Sequence, residues 1–398
     1  MKILMIAPEP VFRLRGTPFS IRDRCRALSD LGHTVDLLTY PFGDDFVFPN
    51  VAIHRTRRIP LIKDVKIGFS FAKIPLDACL FVKAFRALKR ASYDLIHTHE
   101  EAGMMGAILS RKFNLPHLYD MHSSLPQQFE NYNTLNVKSV MNMMRRFEKY
   151  ILKHSQGIIA ICPHLKEIAL KAVPDANVAV IENLAQMEGE IPSPEEIRSF
   201  KSKMGLEDGF VVGYTGTFEI NQGLELLIDA FAKFHNRIPS SCLYLVGGTG
   251  EQIENIKNLS QKAGILNACR IPGKLPRAQM GVVMASCDVL VSPRIIGTNT
   301  PLKLYSYLKS GVPILATDLL THTQVLDRSV AVLTEVSPEA VCNGLLELYA
   351  NPDKRKDLAA AAREREEKYY SYPAYKEKLA ALIEGIFNME GDHESRAS

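Results

Sequence analysis

KILMIAPEPVFRLRGTPFSIRDRCRALSDLGHTVDLLTY (residues 2–40) holds two apolar runs on either side of one helical period. KILMIAP reads as a buried strand and FRLRGTPFS as a turn. PFSIRDRCRALSDLG reads as a helix with Ile21, Cys25, Leu28 and Leu31 on one face. Gly32 stops that helix, and HTVDLLTY is the next strand. A strand, a helix and a strand in this order predict a parallel pair with a right-handed crossover.

The same alternation continues outward. DLIHTH (94–99), a helix over about 103–113, PHLYDMH (116–122) and GIIAIC (157–162) extend the first series. A second series starts at FVVGYTGTF (210–218). It runs through the helix 223–237, CLYLVGG (242–248), the helix 251–264 and CRIPG (269–273). The helix 278–287, DVLVSPR (288–294) and NTPLKLYSYLKSGVPILATD (299–318) complete it. A chain of 398 residues is long for one core. The expected architecture is α/β, with two Rossmann-like doubly wound domains over 1–190 and 200–370. The polar stretch EGEIPSPEEIRSFKSKMG (188–205) reads as the linker. A C-terminal helix is expected at about 372–388, with residues 389–398 polar and frayed.

Composition is that of a globular enzyme, 46% hydrophobic and 23% charged, with apolar runs too short to cross a bilayer. Seven scattered cysteines without a CxxC argue against structural zinc or a disulfide framework, and fit a cytoplasmic protein. Net charge is +4 but uneven: residues 55–90 hold ten Lys/Arg against Asp64 and Asp77. That segment also carries IGFSFAKIPLDACLFVKAF. Two readings stand side by side: an anionic membrane surface as partner, and a solvated basic face over a core helix. No nucleic-acid motif accompanies the charge.

GTPFS (16–20) and NTPLK (299–303) both set Thr-Pro at the start of a helix that follows a strand and loop. Thr is a good N-cap and Pro suits the first helical position, so Thr300 would cap a helix starting at Pro301. Unpaired N–H groups and the helix dipole favour anions there. Thr-Pro also merely starts helices well. Gly16 beside one copy and Lys303 inside the other tilt the reading toward an anion site.

In the ordered set ALSDLGHTVDLLT, YDLIHTHE, PHLYDMHSS, GLELLIDAF, LYLVGGTGE, CDVLVSPR and PLKLYSYLKSGVPILATD, the chain resembles the family-four GT-B glycosyltransferases, from the first strand to about residue 385. The resemblance implies two domains facing across a cleft, the N-terminal one for the acceptor and the C-terminal one for a nucleotide-diphosphate sugar. It implies transfer with retention to a glycan or lipid-linked acceptor, in polysaccharide or glycolipid synthesis, with no metal. Lys303 and Arg294 would offset the leaving diphosphate, with backbone N–H groups of Gly16 and of the 298–302 loop (Thr298, Asn299, Thr300 and Leu302), while Thr17 and Pro301 would line the substrate site. His122 would position the sugar or the incoming hydroxyl. His97 and His99 share a strand face, but no carboxylate or cysteine partner is identifiable, so packing is their favoured reading.

The pattern departs from the family in two places. Its paired glutamates fall at Thr298 and Ser306, and its Gly-Arg-Leu-x-x-x-Lys-Gly cations fall at Thr217 and Gln222, after Gly216. Glu219 and Asp318 are candidates for the missing ribose contact. A GT-B protein that has lost turnover and binds a glycan or nucleotide is therefore the alternative. A dinucleotide enzyme is disfavoured, because no Rossmann glycine fingerprint follows the first strand.

Overall fold

A computed structural model describes residues 1–10, 16–60, 62, 65, 73–127, 138–187, 192–207 and 209–397. It divides into two compact units, Met1–Asn183 with Tyr372–Ser398, and Leu184–Ser371.

The first unit is a seven-stranded parallel sheet. Its strands are β1 (Lys2–Ala7), β2 (Thr34–Thr39), β3 (Val51–Arg55), β4 (Leu95–His99), β5 (His117–Met121), β6 (Gly157–Ala160) and β7 (Val178–Val180). Their order is β3-β2-β1-β4-β5-β6-β7. The second unit holds β8 (Phe210–Gly216), β9 (Ser241–Gly247), β10 (Cys269–Gly273), β11 (Val289–Ser292), β12 (Ile314–Thr317) and β13 (Ala331–Thr334). Their order, β10-β9-β8-β11-β12-β13, repeats that of the first six strands. Both sheets therefore reverse direction of growth between their first and fourth strands, at β1/β4 and β8/β11. Ligands of open α/β sheets bind beyond the carboxyl ends at such points.

Burial follows the expected periods. Ile21, Cys25 and Leu28 of the helix Gly16–Asp30 are fully buried, and β1 is apolar on both faces. The helix Lys73–Arg90 buries Leu76, Leu80, Ala84 and Leu88, one residue per turn. No described helix is long and apolar enough to cross a membrane.

Four expectations change. Residues 194–204, read as linker, form the helix Pro194–Met204 in the second unit. A capping box between Ser193 and Glu196, Pro at its start and Gly205 in a left-handed C-cap make it a helix despite its polarity. The last helix runs Tyr372–Ala397 instead of ending near 388. The helix expected from Pro301 begins at Lys303, and the Thr300 hydroxyl does not cap it; it is buried without a hydrogen-bond partner. In the first unit the helix already includes Gly16, so Thr17 and Pro18 lie inside its first turn. The two Thr-Pro pairs are alike in sequence but not in geometry. Lys63, Asp64 and Lys66 of the basic segment, and the loop 11–15, lie outside the described residues.

Candidate functional site

In the first unit, β4 pairs with β5 so that His99 lies opposite Asp120. Side chains alternate along a strand, so His97, His99, Asp120 and His122 all project from one face. Asp120 is the carboxylate partner that the sequence reading of the two histidines lacked. All four residues are buried.

Arg24, on the helix after β1, donates from Nε to Asp120 Oδ2 at 2.7 Å and from Nη2 to the Ile181 carbonyl at 3.0 Å. Its guanidinium lies 4.7 Å from the centre of the Tyr375 ring. His99 Nδ1 and His122 Nε2 share a hydrogen bond of 3.1 Å, and His122 Nε2 lies 3.3 Å from Asp120 Oδ1. The His97 and His99 rings stack at 4.7 Å. Burial holds the His97, His99 and His122 rings below the ordinary imidazole range, so they are neutral at pH 7. Burial opposes ionisation of Asp120, yet Arg24 and then His122 hold its carboxyl well below the usual range.

The ligand atoms of His97, His99 and Asp120 lie within 4.8 Å of one another, close enough to surround a metal ion. The guanidinium already on Asp120 opposes a second cation there, which favours the salt bridge as the carboxylate's role. On the opposite face His117 is a different kind of histidine. Thr98 and Ser155 satisfy its two nitrogens at 2.7 and 3.0 Å, and burial pushes it down to about 3.

Glu100, directly after β4, was missed by the sequence reading. It has φ +51°, uncommon for a residue with a side chain. Its carboxylate accepts from Thr17 Oγ1 at 3.3 Å and from Ser123 Oγ at 3.2 Å. Thr17 thus spends its hydroxyl on an acid, and that negative charge stands where an anionic ligand was expected.

The second unit gathers more of the expected residues. Lys303 Nζ donates to Gln222 Oε1 at 2.9 Å and lies 3.8 Å from the centre of the Tyr214 ring. Burial, and then the neighbouring Arg294, pull this ammonium well below the usual lysine range. Gly216 ends β8 with φ +143°, a conformation that favours glycine, and a Cβ there would crowd Tyr214 Oη at 3.1 Å while only touching Lys303 Nζ at 3.6 Å. Thr217 is exposed and accepts from Tyr214 Oη through its carbonyl at 2.6 Å.

Arg294 braces the turn that precedes the lysine. Its Nη1 donates to the Asn299 carbonyl at 3.0 Å and to Thr321 Oγ1 at 2.9 Å. Gln324 Nε2 donates to the Thr298 carbonyl at 2.7 Å. The carbonyls of Thr298 and Asn299 are therefore taken from within the fold. Pro301 accepts from the Leu304 N–H at 3.0 Å, and Leu302 is the residue before the helix.

Ser306 is buried, and its Oγ accepts from the Gln186 backbone N–H at 2.9 Å. The neutral residue in the middle of that helix satisfies the entering chain. Glu219 accepts from Gln252 at 2.9 Å and Asp318 lies 3.6 Å from Arg328, so neither ribose candidate is joined to Lys303 by a described contact. Among the described residues no carboxylate pairs with Lys303 or Arg294.

Residues 15–185 match the family model Glycosyltransferase Family 4, and residues 196–365 match Glycosyl transferases group 1. Sucrose-phosphate synthase from Thermosynechococcus elongatus has a similar structure, with a TM-score of 0.79 at 22% identity over 98% of this chain and 99% of that one. Anabaena HepE, solved in complex with UDP, gives 0.75 at 18% identity over 96% of this chain and 100% of that one. Two parallel sheets in this order, matched over nearly their whole length by these structures, are the GT-B fold, and the two family models make the chain a glycosyltransferase. The phosphatidyl-myo-inositol mannosyltransferase of Mycobacterium tuberculosis is 25% identical over 385 residues, 93% of each chain. The chain belongs to the family-four glycosyltransferases.

Proposed function

We propose that this enzyme transfers a sugar, with retention at the anomeric carbon, from a nucleoside-diphosphate donor held by the second unit to a glycan or lipid-linked acceptor held by the first. One observation carries the reading. Lys303, buried and with its ammonium form disfavoured by burial and then by the charge of Arg294, has no described carboxylate partner, at the switch point of its sheet. Two cations without a counter-ion repel each other, and a diphosphate supplies the missing charge. As the bond to the anomeric carbon breaks, charge grows on that diphosphate, where a fixed ammonium lowers the barrier. No metal is needed in this scheme.

HepE, bound to UDP, supports a nucleotide donor by its fold, and the mannosyltransferase by its name supports a lipid acceptor. The first unit has a groove of about 820 Å³ lined by Arg55, Arg57, Lys83, Arg86 and Arg90 over Leu38 and Val82, which suits an anionic, partly apolar acceptor or an anionic bilayer surface.

Calorimetry against UDP, GDP, ADP and TDP tests the donor. Lys303→Met should weaken the preferred diphosphate on the order of 10- to 10²-fold, the scale of one lost hydrogen bond to a charged group. Equal affinity in the variant and the parent would remove Lys303 from the site. The impaired alternative keeps one argument: Ser306, at a family carboxylate position, is occupied by a backbone amide. Diphosphate binding without any transfer or donor hydrolysis would favour it.

A further inference from the structure

We propose that Arg24 and Asp120 are positioning residues that fix the neutral His122 ring with its proton on Nε2, so that its Nδ1 meets the sugar or the incoming hydroxyl as a hydrogen-bond acceptor. The inference rests on the reading that His122 faces the reacting sugar, and it adds which nitrogen carries the proton and what decides that.

The 3.1 Å hydrogen bond between His99 Nδ1 and His122 Nε2 needs one proton, which either ring can own. Asp120 breaks the tie. Its two oxygens are not equivalent: Oδ2 takes the Arg24 Nε–H at 2.7 Å, whereas Oδ1 has no hydrogen-bond partner and lies 3.3 Å from His122 Nε2. With the proton on His122, an N–H faces the uncompensated oxygen. The His99 lone pair then lies 3.6 Å from the oxygen that Arg24 neutralises. With the proton on His99, the His122 lone pair would face bare carboxylate charge at the shorter distance. The first arrangement places the His99 proton on Nε2, which is buried without a hydrogen-bond partner. It still wins, because an N–H in place of a lone pair then faces the bare carboxylate oxygen, and buried charge is weakly screened.

Arg24 sets which oxygen is bare. It is itself held by the Ile181 carbonyl and by Tyr375, on the last helix of the chain. A path of Tyr375, Arg24, Asp120 and His122 thus links the returning C-terminal helix to the ring within one unit.

The substitution Asp120→Asn gives a specific reversal. The amide oxygen stays with the guanidinium, which has no use for a donor. The NH2 then turns to His122 Nε2 and makes it an acceptor, and the His122 proton moves to Nδ1. The experiment is 15N and 13Cδ2 chemical shifts of the full chain labelled at histidine, with His122 assigned by His122→Gln, together with steady-state transfer. The expected result is Nε2–H in the parent, Nδ1–H in Asp120→Asn, and kcat lowered on the order of 10²-fold with donor KM little changed. A parent His122 protonated on Nδ1 overturns the inference by itself, even if the variant does not fold. A folded Asp120→Asn that keeps Nε2–H, or keeps full kcat, overturns it as well. Unchanged transfer in His122→Gln would instead remove His122 from the reaction, and that result is separate from the proton's position.

Discussion

Among single residues, Asp77 couples its protonation to folding. It accepts from Tyr40 Oη at 2.5 Å, and burial pushes its carboxyl from an ordinary 3.8 to about 6, with Glu101 and Glu9 adding to the rise. A folded-state value above the unfolded one means that the folded chain holds this proton more tightly. The resulting stability is present below about pH 4 and is lost as pH rises through 6. At pH 7.5 the buried charge costs about 1–3 kcal/mol, from ~1.4 kcal/mol per tenfold. Asp77→Asn keeps an acceptor for Tyr40 and removes that charge. Its melting midpoint should therefore rise relative to the parent between pH 4.5 and 7.5. Parallel pH profiles for the two proteins would show that Asp77 titrates normally. Lys303 and His122 were legible in the sequence as candidates because motifs bracket them. Arg24 and Asp120 were not. Arg24 reads as one polar residue in an amphipathic helix, and Asp120 meets the histidines only once the β4–β5 register is known. Register between parallel strands depends on the connection, which residue order does not reveal.

At the scale of elements, long periodic segments announced themselves, and short edges did not. The strands β1, β2, β4, β5, β6 and β8 to β12 follow their apolar runs, whereas β3, β7 and β13, three to five residues long and at or next to a sheet edge, carry too little pattern. The polar 194–204 stretch misled because its helix buries no residue and depends on its caps. The turn after β8 shows how backbone shape serves the lysine. Gly223 has φ +72°, and a Cβ there would stand 1.9 Å from the Pro293 carbonyl oxygen. The turn therefore packs directly on the end of β11 and sets Gln222 beside Lys303. Gly223→Ala combines left-handed strain of about 1–2 kcal/mol with an overlap of about 1–3 kcal/mol. A lower melting midpoint together with weaker diphosphate binding is expected. Diphosphate affinity unchanged in a destabilised variant would show that the Gln222 contact does not matter to the ligand.

For the whole molecule, net charge is a poor guide and its placement a better one. The surplus is only +4, yet Arg57, Arg86 and Arg90 line one groove and have no ion-pair partner among the described residues. The helix Lys73–Arg90 exposes Val82 in the same groove, while its other face is fixed in the core. Cations without ion-pair partners among the described residues, next to an apolar side chain, would suit the anionic bilayer surface proposed above, where each is expected to contribute about 1 kcal/mol. Replacing all three by Gln removes about 3 kcal/mol, on the order of 10²-fold in partitioning. Because the substituted residues are not tied to other described side chains, the fold should tolerate the change. Co-sedimentation with phosphatidylglycerol vesicles should show strong binding by the parent at low salt, weakened at high salt as screening shortens the field, and little binding by the triple variant. Equal binding by both proteins, or binding by the parent that ignores salt, would mean that this basic face serves only to keep the protein in solution. The acceptor would then have to be sought away from the membrane.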